Sequence, residues 1–393
     1  MTSADLRIRV LPSIAEMPAA MWDACANPPQ EPYNPFVSHA FLSALEVSKS
    51  ATARTGWQPQ HLVAETADGT VVGTAPCYLK SHSRGEYVFD WGWADAYERA
   101  GGRYYPKLQV AVPFTPATGP RLLVPPGAHA EAARAALAAG LVELCRLREA
   151  SSVHVTFLPK SEWEFLGRHG FLQRTGQQFH WENAGYASFD DFLGALASRK
   201  RKTIRRERRE AVANGISIEW LTGADVTEAA WDAFFAFYMD TGSRKWGRPY
   251  LTRAFFSLVG ESMADRILLV MAKRGGRYIA GALNFIGDTT LFGRYWGAIE
   301  HHPFLHFELC YYQAIAFAIA RKLPRVEAGA QGEHKLARGY MPVTTFSAHH
   351  IEDPALRRAV ADFVKREQAQ VALANAELAE YGPYRKDLMT EQQ

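Results

Sequence analysis

Two short stretches concentrate side chains suited to acid–base and oxyanion chemistry. His306-Phe307-Glu308 opens a predicted helix, and Gly329-Ala330-Gln331-Gly332-Glu333-His334-Lys335 follows a short β-branched strand. Both lie at strand–helix transitions, where α/β sheets present polar groups to a ligand and a glycine-flanked loop exposes backbone N–H groups to an oxyanion. Amide formation from an activated acyl group needs a base to take a proton from the attacking amine, and donors to hold the tetrahedral oxyanion. Glu308, His306, Glu333 and His334 are candidates for the first role. Lys335 and Arg338 are candidates for the second, or for binding an anionic substrate. Each is equally well read as an ordinary capping or salt-bridging side chain.

A second chemistry is phosphate binding. Ser188–Asn214 reads as one helix, with Ser188 placed to cap it and Asp191 three residues on. Within it Arg199, Lys200, Arg201, Lys202, Arg205, Arg206, Arg208 and Arg209 face only Glu207 and Glu210, a local charge of +6 (8 − 2) in a chain of net +3. Such crowding destabilises a helix unless an anion neutralises it, and the arginine fork matches phosphate. RNA or a nucleotide diphosphate fits this segment; a solvated arginine-rich helix is the competing reading. Without a helix-turn-helix or zinc module, DNA is not an expected partner.

A third set is aromatic. Trp91, Trp93, Tyr97, Tyr104 and Tyr105 mix with Asp95, Arg99, Arg103 and Lys107, as in a surface that stacks on a sugar or base while its cations meet carboxylate or phosphate. Aromatic packing is the alternative.

Several classes are excluded or disfavoured. No P-loop, strand-anchored GxGxxG or GxSxG elbow occurs, and the adjacent pairs His301-His302 and His349-His350 cannot converge on one ion, so no metal is expected. Four scattered cysteines, Cys25, Cys77, Cys145 and Cys310, read as reduced thiols. The N-terminus lacks a secretion signal, and the longest apolar run, 309–320, is shorter than the roughly 20 residues a membrane span needs, so a cytoplasmic location is expected.

The elements that must position these groups repeat. His61–Lys80 and Leu269–Asp288 match at an offset of 208 (281 − 73), each as strand, turn, strand with glycine in the turn. Gly85 and Tyr87 then fall on Gly293 and Tyr295, making YVFDWGW (87–93) the third strand of the first half. A helix (131–149 or 307–322) and a short strand (153–158 or 325–328) follow. His169-Gly170-Phe171 and Arg338-Gly339-Tyr340, at an offset of 169, precede a last strand in each half. The fold expected is α/β: two tandem lobes of mixed sheet with a cleft between them. Residues 1–185 form the first, with an aromatic insertion at about 95–126, and 186–393 the second, opening with the polybasic helix and ending in a long helix from Pro354.

Four segments, Asn34–Glu46, Asp90–Leu123, His306–Ile315 and Gly329–Pro342, resemble the FemAB-like proteins, N-acyltransferases related to the Fem enzymes that add amino acids to peptidoglycan precursors. The resemblance spans nearly the whole chain. It implies GNAT-like lobes and transfer of an acyl or aminoacyl group to an amine, with aminoacyl-tRNA as donor in the Fem relatives. The donor is then a co-substrate, and no tightly bound cofactor is expected. The [RQ]xxGx[GA] loop by which GNAT enzymes hold CoA is not recognisable, and the helical arm of several Fem enzymes is missing. A CoA-dependent acetyltransferase and a non-catalytic RNA- or nucleotide-binding protein remain as alternatives. The residues specify neither the acceptor nor an oligomeric state.

Overall fold

The computed structural model describes residues 6–244, 249–329 and 332–385, without the side chains of Ser243, Arg244 and Glu333. The chain forms two compact units, Met1–Gly176 with Thr344–Ala372, and Gln177–Val343 with Leu373–Gln393.

The first unit begins with β1 (Arg7–Leu11), α1 (Ala19–Ala26), α2 (His39–Val47), β2 (Trp57–Pro59), β3 (His61–Glu65), β4 (Val71–Ala75) and β5 (Cys77–Lys80). Next come α3 (Trp91–Arg99), β6 (Lys107–Val110), α4 (Ala130–Leu147), β7 (Ser152–Leu158) and α5 (Lys160–Arg168). One sheet is β1-β3-β4, all antiparallel. In the other, β2, β5 and β6 pair antiparallel in that order, and β6–β7 is parallel. Pro76 separates β4 from β5, consistent with a residue that cannot donate to a ladder. The apolar faces of α4, α5 and these strands close around Leu108, Leu137, Leu141, Val153 and Leu166.

The second unit starts inside β8 (Leu172–Glu182). It continues with α6 (Phe189–Ala195), α7 (Ser198–Ala211), β9 (Ile216–Leu221), α8 (Glu228–Arg244), α9 (Arg253–Met263), β10 (Ile267–Arg274), β11 (Arg277–Ile286) and β12 (Thr290–Ala298). Then α10 (Leu305–Phe307) runs through a π-helical turn, Glu308–Tyr312, into α11 (Gln313–Ala320), and β13 (Arg325–Glu327) follows. Its strands order as β8-β13-β12-β11-β10-β9, with only β12–β13 parallel. At Gly297 a Cβ would come within 2.2 Å of the Phe237 carbonyl, so α8 packs directly on the β12 backbone. The chain then passes through β14 (Met341–Ile351) into the long α12 (Pro354–Glu380).

The expected α/β architecture of two mixed-sheet lobes and a long terminal helix is present, and the hairpins of the repeat are β3/β4 and β10/β11. Gly69, Gly275 and Gly276 hold the positive φ their turns require. The linear division does not hold, however. β8 follows α5 in sequence but pairs with β13, and residues 344–351 of β14 pair with β7. Each unit therefore receives its closing strand from the other half of the sequence. The 169-residue offset marks these two strands, both 11 residues long.

Two further expectations are corrected. YVFDWGW is not a strand: Trp91, Trp93, Ala94 and Tyr97 follow helical spacing in α3, and β6, inside the supposed insertion, is the third strand. Residues 188–214 are two helices, because buried Leu196 and Ala197 turn extended. Ala197 N–H there donates to Pro383 O at 2.9 Å, and Arg385 N–H to Ala195 O at 3.0 Å. Ser188 does cap α6, accepting from Asp191 N–H at 3.0 Å.

A buried ionic network organises residues 80–107. Lys107 Nζ donates to Ser83 Oγ (2.8 Å) and Glu86 Oε2 (2.7 Å) and bonds Asp90 Oδ2. Tyr104 Oη donates to the same Asp90 oxygen at 2.7 Å. Beside them the His154 and His349 Nδ1 atoms share a 2.7 Å hydrogen bond, and Trp93 packs on both rings. Burial, reinforced by nearby cations, pushes His154 down to about 3 and His349 well below the usual histidine range. Both are neutral when folded and must gain protons on unfolding once pH falls below about 6.5. Stability should therefore fall as pH drops from 6.5 toward 4, by about 1.4 kcal/mol per pH unit for each histidine. Thermal midpoints across that range should decline less steeply in His349→Phe than in the parent protein.

Candidate active site

β12 and β13 pair over only three positions, Thr290–Arg325, Leu291–Val326 and Phe292–Glu327. β13 ends there, while β12 runs on against β11 with Arg294 as the extra residue of a bulge. Where the parallel partner is lost a cavity of about 100 Å³ opens, lined by Asn284, Arg294, Trp296, His306, Cys310 and Tyr311 among others. Divergence of adjacent strands is where open α/β sheets take ligands.

Arg294 lines this cavity, and Lys335 bonds the carbonyl of Ala328 at its edge. The Arg294 guanidinium lies 5.3 Å from the Tyr295 ring centre. Lys335 is buried, and its Nζ donates to the carbonyls of Ala328 (2.8 Å) and Gly329 (2.9 Å), just past the last β13 pairing. Burial lowers Lys335 to about 8, Cys310 opposes that shift, and Arg294 adds to it. The ammonium is thus predominantly charged at neutral pH.

The helix that follows β12 supplies the opposite wall. Phe304, with φ of 62°, holds a left-handed conformation that is costly for a residue with a Cβ. The π-turn then adds a residue to the helical cycle, a feature common at functional sites. His306, Cys310 and Tyr311 line the cavity; Glu308 and Tyr312 meet α7. His306 sits 5.1 Å from the Trp296 ring and 5.5 Å from Tyr311, whose hydroxyl bonds His334 Nε2 at 2.9 Å.

Two acidic side chains attach α7 to this turn. Buried Glu308 accepts from Arg208 Nε and Nη2 at 3.1 to 3.2 Å and from Gln313 Nε2 at 2.7 Å. Buried Glu207 accepts from Arg338 Nη2 at 3.0 Å and bonds the Tyr312 hydroxyl. Arg338 also lies 3.5 Å over the Phe307 ring and donates to His334 O at 2.7 Å. Between α7 and this assembly is a cavity of about 340 Å³ bordered by Arg199, Lys200, Thr203, Tyr312 and Arg338.

The sequence candidates therefore separate into groups. His306 lines the cavity, His334 is bonded to Tyr311, and Lys335 closes the strand end. Glu308 is a buried partner of Arg208 rather than a group facing the cavity, and the Glu333 side chain lies outside the described residues. Of the polybasic set, Arg199, Lys202, Arg205, Arg206 and Arg209 are exposed, and Lys200 and Arg201 are half-buried. Arg205 pairs with Asp190, Arg206 with Glu210, and Arg208 turns inward. In the first unit Trp93, Tyr104 and Lys107 are buried in the ionic network, Tyr97 and Tyr105 are half-buried, and Trp91 and Asp95 are exposed. Sequence reading passed over Arg294, Tyr311, Trp296 and the His154–His349 pair. A lone arginine within the aromatic strand LFGRYWGA was the available signal for the first.

A family model for FemAB-like proteins, described by peptidoglycan biosynthesis and recognition, matches residues 13–386. The chain belongs to the FemAB-like family. Among solved structures, FemX superimposes with a TM-score of 0.51 at 12% identity, covering 80% of this chain and 93% of its own. The L-PGS structure from Bacillus licheniformis gives 0.50 at 8%, covering 85% and 98%. A tandem GNAT protein from the clavulanic acid pathway gives 0.47 at 13%, covering 89% and 99%. At these identities the likenesses concern the fold alone. No curated protein matches the sequence. Among the described residues no helix is long and apolar enough to cross a membrane.

Replacing the Glu308 carboxylate by an amide keeps one acceptor oxygen but removes the counter-charge of Arg208 and the second acceptor of its guanidinium. Arg208 is partly solvated, which moderates the loss. Glu308→Gln should therefore destabilise by about 2 kcal/mol, measurable by urea denaturation, without removing a group that reaches the cavity.

Proposed function

We propose that this FemAB-like chain is an N-acyltransferase that joins an activated acyl group to an amine, with aminoacyl-tRNA favoured as donor over acyl-CoA and a peptidoglycan precursor as acceptor. One observation carries the reading: the turn whose His306 and Tyr311 line the strand-divergence cavity also holds, through Glu308, the polybasic helix. A phosphate-rich donor lying along the exposed face of α7 would have its acyl end within reach of that cavity. The family match supports acyl transfer and the peptidoglycan context.

In this reading the amine nitrogen attacks the donor's ester carbonyl carbon, and the developing oxyanion is stabilised by Arg294 and the charged Lys335. His306 takes the proton from the amine and returns it to the departing ribose oxygen as the ester C–O bond breaks. The products are an amide and free tRNA. The donor binds as a co-substrate, so no resident cofactor is required.

The decisive test mixes purified protein with radiolabelled aminoacyl-tRNA or acetyl-CoA and a lysine-containing peptidoglycan precursor. Amide product from aminoacyl-tRNA is expected; product from acetyl-CoA alone would overturn the choice of donor, and none from either the transferase itself. His306→Gln should lower kcat at least about 100-fold with tRNA binding retained. Replacing Arg201, Arg205 and Arg209 by Gln should instead weaken tRNA binding and reduce the slope of log affinity against log salt by about 2 to 3.

A further inference from the structure

A third cavity in the second unit, of about 400 Å³, has Trp296 and His306 in common with the strand-divergence cavity. Its volume falls within the roughly 300–1,000 Å³ of small-molecule sites. Its described lining is apolar or aromatic at Trp296, Ala298, Phe304, Leu305 and Phe307, and polar at Thr241, Glu300, His301, His302 and His306. The acid at its edge, Glu300, is already satisfied, accepting from Arg274 Nε at 2.9 Å, Arg277 Nη2 at 2.9 Å and bonding His302 Nε2 at 3.0 Å. An apolar group set against the aromatic part of this wall gains by leaving water.

The two cavities are thus adjoining and chemically unlike. The small one has Arg294 and His306, suited to a reacting carbonyl; the large one has room and aromatic surface suited to what the carbonyl carries. We propose that the large cavity receives the side chain of the aminoacyl group, and that the preferred donors carry a bulky apolar side chain such as that of phenylalanine or leucine. This rests on the transferase reading above and adds the substrate class. Glycyl or alanyl donors would leave the cavity filled only by water and forgo the apolar contact.

The experiment compares kcat/KM for tRNA charged with glycine, alanine, leucine or phenylalanine, in the parent protein and in Ala298→Phe, which places a ring in the cavity. The parent should favour phenylalanyl over glycyl donor at least about tenfold. Ala298→Phe should reverse the order. Independently of turnover, saturation-transfer NMR should detect N-acetyl-phenylalaninamide but not N-acetyl-glycinamide on the parent, with the signal lost in Ala298→Phe. Transfer of all four donors at equal efficiency, or a preference for glycine, overturns the side-chain pocket and leaves the transferase standing. Transfer of none overturns the transferase and the assignment of this cavity with it. Equal NMR signals for the two amides, or a phenylalaninamide signal that survives Ala298→Phe, overturn the pocket whatever the turnover.

Discussion

Two buried carboxylates, Glu207 and Glu308, govern the geometry of the second unit's candidate site. They are successive contacts along one junction, Glu207 with Arg338 and Tyr312, Glu308 with Arg208 and Gln313. An arginine-rich helix has little reason to lie against a protein surface, since its charges repel one another and prefer water. Here two acids draw one face of it inward, Ile204 and Ala211 follow into the interior, and the remaining cations stay outside. Deleting either acid would leave a buried or half-buried cation unpaired, which costs far more than a surface pair contributes.

The same junction gives the π-turn its role. A regular helix through 305–320 would continue its cycle without the additional residue that the turn inserts between His306 and Gln313. With that insertion Glu308 and Tyr312 meet α7, while His306, Cys310 and Tyr311 face the gap left where β13 stops. In the first unit buried charge is accommodated differently: Lys80 and Lys107 face Glu86 and Asp90 in the interior, and two neutral histidines share a hydrogen bond beneath Trp93.

How far the residues themselves foretold this can be argued element by element. The hairpins around Gly69 and Gly275 were legible because tight turns need residues that tolerate positive φ. The start of α12 at Pro354 was legible from its end signals and apolar spacing. The polybasic run was legible as charge, and His306 as a polar group opening a helix. Where YVFDWGW failed, aromatic content suggested a strand, but Trp91, Trp93 and Tyr97 serve a short helix whose inner face packs on Leu356, Val360 and Val364.

The sequence by itself determined the α/β character, the repeated hairpins, the family and the presence of a polybasic segment, because these depend on spacing and composition within short windows. Only the tertiary structure decided which half supplies each closing strand, since β8 and β14 carry similar extended patterns and choose partners through long-range pairing. Only it could show that Arg208 and Glu308 are bound to each other, that Arg294 enters the cavity at a bulge, and that His154 meets His349 across 195 residues of chain. Such contacts are fixed by where the backbone brings groups together and by the cost of burying a charge alone, neither of which is written in neighbouring residues.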